Sequence, residues 1–196
     1  MSNLHPRTAR TRAAILDAAW KLIADRGLDV GMAEIADSVG VTRQTIHIHF
    51  GTRGGLLIAL VRRADEREDI HASLLGALER ADPRERLDAF LREWLDFVPK
   101  IYPVARQLIA AEPGDAEAAA AWRDRMEELR NGFLLLTRGL RNEKALAAQW
   151  TAPQAADYLW ASASVQAWEL LAIARGWGHT KTEQTLRRSL ARVVLA

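Results

Sequence analysis

Apolar residues recur along this chain at intervals of three and four, the period of a helix laid on a core, with no sustained alternation of the strand kind. A first helix is predicted over Thr8–Arg26, with Ile15, Ala19, Leu22 and Ile23 on one face and Gly27 at its C-terminal cap. Met32, Ile35, Ala36 and Val39 mark a short second helix that Gly40 stops. Thr42 is placed to N-cap a third, running through about His49, with Val41 and Ile46 spaced as a hydrophobic staple. Thr52 opens a long fourth helix, Arg53 to Arg80, whose inward stripe reads Leu56, Leu60, Ala64, His71, Leu75 and Leu78. Asp82-Pro83 starts a fifth through Val98. Pro99 and Pro103 are expected to break the chain before a short sixth that ends near Glu112. A seventh runs from Asp115 to about Arg141, an eighth from Thr151-Ala152-Pro153 to the glycines around Trp177, and a ninth from Thr180 onward. The expectation is an all-α chain of about nine helices, with a boundary near Gly51–Gly55 between three short helices and six longer ones.

Composition narrows the class. Hydrophobic residues are 49% and charged residues 27%, an ordinary globular balance, and Trp is frequent at seven in 196. Cysteine is absent, which removes disulfides, thiolate metal sites and a cysteine nucleophile. No apolar run approaches the roughly 20 residues of a membrane span, and the basic, polar N-terminus lacks the apolar segment of a signal peptide. A cytoplasmic location is the expectation. Charge is uneven: residues 1–63 carry nine Lys/Arg against five Asp/Glu, while residues 64–196 carry eighteen against twenty. A basic first third on a slightly acidic remainder suits a polyanion-binding module joined to something else. Enzymatic chemistry finds little support. His47 and His49 lie two apart and diverge on a helix, no Gly-rich phosphate loop occurs, and no metal or cofactor is called for.

Two short helices joined by a turn containing Gly40 have helix-turn-helix geometry, in which the second presents its N-terminal end to the DNA major groove. That end reads Thr42-Arg43-Gln44-Thr45. Arg and Gln pair bidentately with guanine and adenine edges, hydroxyls and free N–H groups hold phosphates, and Thr45 leaves the helix start without a repelling carboxylate.

Taken whole, residues 11–57 closely resemble the N-terminal domain of tetracycline-repressor-like regulators. The match rests on Ile15-Leu16 with Ala18-Ala19, Arg26-Gly27, Ile35-Ala36 with Gly40-Val41-Thr42, Thr45-Ile46 with His49-Phe50, and Leu56-Leu57. The resemblance implies a three-helix DNA-binding domain over 1–53 and a helical effector-binding and dimerisation domain over 54–196. It implies that Arg43 and Gln44 read base edges and that Thr42, Thr45 and Arg53 anchor phosphates. His47 stands at the family's usual backbone-contacting Tyr, Ile48 either touches a thymine methyl or merely sits half exposed, and His49 completes the set. Arg7 and Arg10 of the N-terminal arm either add minor-groove or backbone contacts or form a disordered tail. Gly31 stands where the family carries a hydroxyl, and Gly54-Gly55 where it commonly carries Glu. That glycine pair either softens a joint or is a local substitution without consequence.

For the remaining helices the resemblance implies an effector pocket, for which His71, Trp94, Tyr102, Trp122, Met126, Trp160 and Gln166 are candidates. It also implies a homodimer formed by the last two helices, with Ala161, Val165, Trp168, Ala172, Leu186, Leu190 and Val193 as candidate interface residues. The implied function is a repressor that leaves a palindromic operator on binding a small hydrophobic or aromatic effector. A regulator without such an effector, and an activator, share the same DNA head and stay open.

Overall fold

In a computed structural model, residues 6–196 are described, so the first five residues of the expected DNA-binding domain lie outside the described part. The chain is all-α. Ten helices occur among the described residues: α1 (Pro6–Arg26), α2 (Met32–Ser38), α3 (Arg43–Phe50), α4 (Arg53–Glu68), α5 (Ile70–Leu78), α6 (Pro83–Ala111), α7 (Ala116–Asn142), α8 (Ala152–Ser162), α9 (Val165–Glu169) and α10 (His179–Val194). The only extended pairing among them is one antiparallel bridge between Leu146 and Leu195. None of these helices is long and apolar enough to cross a membrane.

Two compact units result. The first comprises residues 1–67 and 103–125, the second 68–102 and 126–196. The first therefore holds more than the three leading helices, because α4 up to Arg67 and the segment around the α6–α7 turn cluster with them. Its core is built from Ile15, Leu16, Ala19 and Ile23 of α1, Ile35 of α2, Ile46 of α3, and Leu56, Leu57 and Leu60 of α4, all essentially out of water. The second unit is cored by Phe90, Leu91 and Trp94 of α6, Phe133, Leu136 and Leu140 of α7, Leu159 of α8 and Val194 of α10. Phe90 and Phe133 meet with ring centroids 5.1 Å apart, within the favoured range for aromatic pairs.

Three boundaries differ from the sequence-based expectation. The long fourth helix is two helices, because Asp69 adopts a left-handed conformation (φ 49°, ψ 38°) that aspartate tolerates better than most residues. This turn displaces the buried stripe by one residue: Ile70, Leu74 and Ala77 face inward, while His71 and Leu75 are exposed. The fifth and sixth helices are one. Pro99 and Pro103 sit inside α6 four residues apart, so both missing N–H donors fall on one face, where a bend is least disruptive. Burial of Val98, Ile101, Val104 and Ala105 around them outweighs the lost bonds.

The eighth helix is interrupted at Ala163-Ser164. The Ser164 hydroxyl accepts from the Ala167 N–H at 3.1 Å, a side-chain cap that restarts the helix as α9, which then widens into a π-helical turn over Leu170–Ala174. The carbonyl of Ala163 accepts instead from the buried indole N–H of Trp94 at 2.7 Å.

Candidate nucleic-acid interface

The turn between α2 and α3 is built by backbone bonding. Val41 N–H donates to the Ala36 carbonyl at 3.0 Å, and Gly40 takes φ 67°, a conformation that glycine adopts without strain. Thr42 then caps α3 in an extended conformation, its hydroxyl accepting from the Thr45 N–H at 3.1 Å. The two threonine hydroxyls lie 3.0 Å apart, so no carboxylate occupies this helix start. Ile46 is fully buried and Val41 half-buried.

The opposite face is left to water. Arg43, Gln44, His47 and Ile48 are all exposed, together with the cap Thr42; Thr45 and His49 are half-buried. At 100° per residue the four helical positions span about 140° of circumference, opposite the buried Ile46. Ile48 is 77% exposed, an apolar side chain held in water beside an arginine and a glutamine. At the far end of α3, the guanidinium of Arg12 lies over the Phe50 ring, 5.2 Å from its centroid. Arg12 was not among the sequence candidates; the basic start of α1 was the only hint. Arg7 and Arg10 fall within α1 itself.

Arg53 is placed differently from a phosphate anchor. Its guanidinium donates to Asp115 at 2.8 Å and to the carbonyl of Leu28 at 3.0 Å, and lies 3.5 Å from Glu117. The neighbouring Gly54 N–H donates to the same Glu117 carboxylate at 3.0 Å. Asp115 is the cap of α7, its carboxylate accepting from Glu117 N–H and Ala118 N–H. The Ala118 amide, and then Arg53 against the opposing cost of desolvation, hold its carboxyl below the ordinary value of 3.8. The two carboxylates lie more than sixty residues from Arg53 and Leu28 lies 25 away, so no local pattern could have announced them.

Gly55 has a separate cause. A side chain there would place Cβ 2.1 Å from the Phe50 carbonyl oxygen, so α4 can follow α3 this closely only without one. At Gly54 the same construction meets only the end of the Glu117 side chain, at 3.1 Å. Gly31 precedes α2 in extended conformation with no side-chain cap, as a residue without a hydroxyl must.

The remaining candidates fall in both units. Trp94 is fully buried with its N–H satisfied, Tyr102 is half-buried and donates to Glu169 at 2.7 Å, and Trp160 donates to the Met126 carbonyl at 3.1 Å. Met126 is buried in the second unit and Trp122 in the first, while His71 and Gln166 are exposed. Of the interface candidates, Val165, Trp168, Ala172 and Leu190 are buried within the single chain, and Trp168 packs edge-on against Tyr102 at 5.2 Å. Ala161 and Val193 are exposed and Leu186 half-buried. The large apolar side chains left in water in the second unit include Leu135, Leu170, Ile173 and Val193.

A family model described as bacterial regulatory proteins of the tetR family matches residues 15–60. The HTH-type transcriptional regulator BetI of Rhizobium meliloti is 34% identical over 140 residues, which are 67% of this chain and 61% of that protein. The HTH-type transcriptional repressor LfrR of Mycolicibacterium smegmatis is 38% identical over 96 residues, 48% of this chain and 47% of that one. The chain thus spans about half to three-fifths of the length of these relatives. A solved transcriptional regulator from Saccharomonospora viridis, in complex with choline, shares the fold at a TM-score of 0.75 and 22% identity, covering 96% of this chain and 99% of that one.

Proposed function

The chain belongs to the TetR family of bacterial regulatory proteins, and from that premise we propose that it is a homodimeric repressor reading a palindromic operator with α3. The observation carrying this is the α3 face: Arg43, Gln44, His47 and Ile48 together in water, opposite the fully buried Ile46, on a helix whose start holds no carboxylate. Arg43 and Gln44 supply the forked donors and the amide that guanine and adenine edges require, and Ile48 supplies an apolar surface for a thymine methyl. Thr42, Thr45, His47 and His49 supply backbone contacts around them.

A palindromic target needs two such helices about 34 Å apart, hence two protomers. Support for the pairing comes from Leu170 and Ile173, which the single chain leaves 62% and 55% exposed on adjoining turns, with Val193 near the end of α10. Apolar side chains left in water, as Leu170 and Ile173 are on adjoining turns, are suited to burial against a partner. A small hydrophobic or aromatic effector acts on this arrangement by binding one protomer spacing better than another. The aromatic residues of the second unit, and the choline held by the Saccharomonospora regulator, make flat and quaternary-ammonium compounds the first to test.

The deciding experiment is selection of bound duplexes from a random pool, followed by titration of the recovered site with such compounds. A palindromic consensus released by one compound class supports the whole reading. A non-palindromic consensus overturns the paired reading heads. A palindrome that no compound releases replaces effector control with regulation by abundance or by a protein partner.

A further inference from the structure

Arg53 opens α4 beside the reading helix, where a cation facing DNA would meet a phosphate. It is instead held from within its own unit. One terminal nitrogen lies 2.8 Å from Asp115 and 3.5 Å from Glu117, and the other donates to the Leu28 carbonyl. The Glu117 carboxylate also takes the Gly54 N–H, so one anionic group bridges the guanidinium and the first turn of α4. An N-terminal turn with an adjacent arginine is what a phosphate would otherwise occupy. A Cβ at Gly54 would come within 3.1–3.3 Å of Glu117, which a small shift of that flexible side chain accommodates. Further along the same two helices Arg62 meets Asp124 at 3.0 Å and Asp65 meets Arg125 in a buried pair at 2.7 Å. The contact at Arg53 is thus one end of a row that fastens α4 to the first half of α7.

The geometry points to Asp115 and Glu117 as positioning residues that stand in for a phosphate: they hold Arg53 on α7, and Arg53 becomes a DNA contact only when they let go. With its charge already balanced by two carboxylates, the guanidinium attracts a further anion weakly, so the fastening of α7 and a phosphate contact compete for it. This inference rests on the DNA-binding reading, which binding of the parent chain to a duplex decides beforehand and separately.

The test is the salt dependence of affinity for a random-sequence duplex, compared for the parent, R53Q, D115N/E117Q and the triple variant. Asn keeps the capping role at position 115. Parent and R53Q are expected to share one slope of log affinity against log salt. D115N/E117Q should steepen it by about 0.9, the value of one added phosphate contact. Its advantage over the parent then falls by about 3.5-fold between 50 and 200 mM salt, by the same relation. The triple variant should return to the parental slope. A shallower slope for R53Q in the parent background, or a steep slope that survives in the triple variant, overturns the inference. Nitrogen NMR of the Arg53 guanidinium gives a second readout without DNA: restricted rotation in the parent and free rotation in D115N/E117Q are expected, and free rotation in the parent overturns it.

Discussion

Replacing Gly55 with Ala puts two opposing effects on one atom. Ala in place of Gly inside a helix gains about 1 kcal/mol. The new methyl, however, would sit 2.1 Å from the Phe50 carbonyl oxygen, a backbone atom that no rotamer change can move aside. Restoring ordinary contact requires α3 and α4 to part by about 1 Å, and forcing extra volume into a packed site costs up to about 3 kcal/mol. The net expectation is a loss of about 2 kcal/mol, or a melting temperature lower by about 4–8 °C for a chain of this size. Gly54→Ala is the internal control. Its methyl would meet only the end of the flexible Glu117 side chain, so the helical gain survives in part and stability is unchanged or up to about 1 kcal/mol higher. Thermal unfolding, with hydrogen exchange read on the α3–α4 segment, measures both. Equal stability of the two variants, or a gain at position 55, would refute the close-approach argument and return the pair to a substitution without consequence.

Arg43→Ala should cost about 1–3 kcal/mol at one base pair and relax preference there, checked by repeating the site selection with the variant; an unaltered consensus removes Arg43 from base reading. Trp94→Phe keeps most of the buried ring but orphans the Ala163 carbonyl, for an expected loss of about 1–3 kcal/mol in denaturant unfolding. Leu170→Glu with Ile173→Glu should leave the fold intact and weaken self-association at least about tenfold by sedimentation velocity, because both side chains are mostly in water in one chain. Asp115 has a folded value below its ordinary 3.8, so its contribution to stability is complete above that pH and lost as pH falls through the folded value. D115N should therefore flatten the acid side of the stability profile and leave the neutral and basic sides parallel to the parent.

What the sequence announced was local. Thr42 as a cap, Gly40 and Gly27 in the left-handed region and the burial of Ile46 each follow from residues within five positions of one another. What it concealed depended on one backbone dihedral or on distant partners. The conformation of Asp69 decides whether His71 or Ile70 faces inward, and Asp69 sits in the middle of an otherwise unbroken helical pattern. Pro99 and Pro103 carry the usual breaking tendency, but the apolar residues beside them bury deeply enough to keep α6 whole. Trp168 and Val165 form a legitimate apolar stripe, yet periodicity cannot say whether a stripe meets its own core or a second chain.

The same division governs the charge of the reading head. Nine basic residues in the first 63 look like a broad polyanion footprint. In the fold Arg26 pairs with Glu34, Arg53 with Asp115, Arg62 with Asp124 and Arg63 with Asp17, so at least four of the nine are already matched by carboxylates. Two further cations are set around α3. Arg43 stands at its start, and Arg12 lies over Phe50 at its end. An eight-residue helix is about 12 Å long, and the major groove is about 12 Å wide between its phosphate walls. On the proposed reading, Arg43, Gln44 and Ile48 face the floor of such a groove, and the guanidinium of Arg12 at the far end of the helix is placed for a phosphate at its rim. The match lies in the placement of two side chains, which net charge does not report.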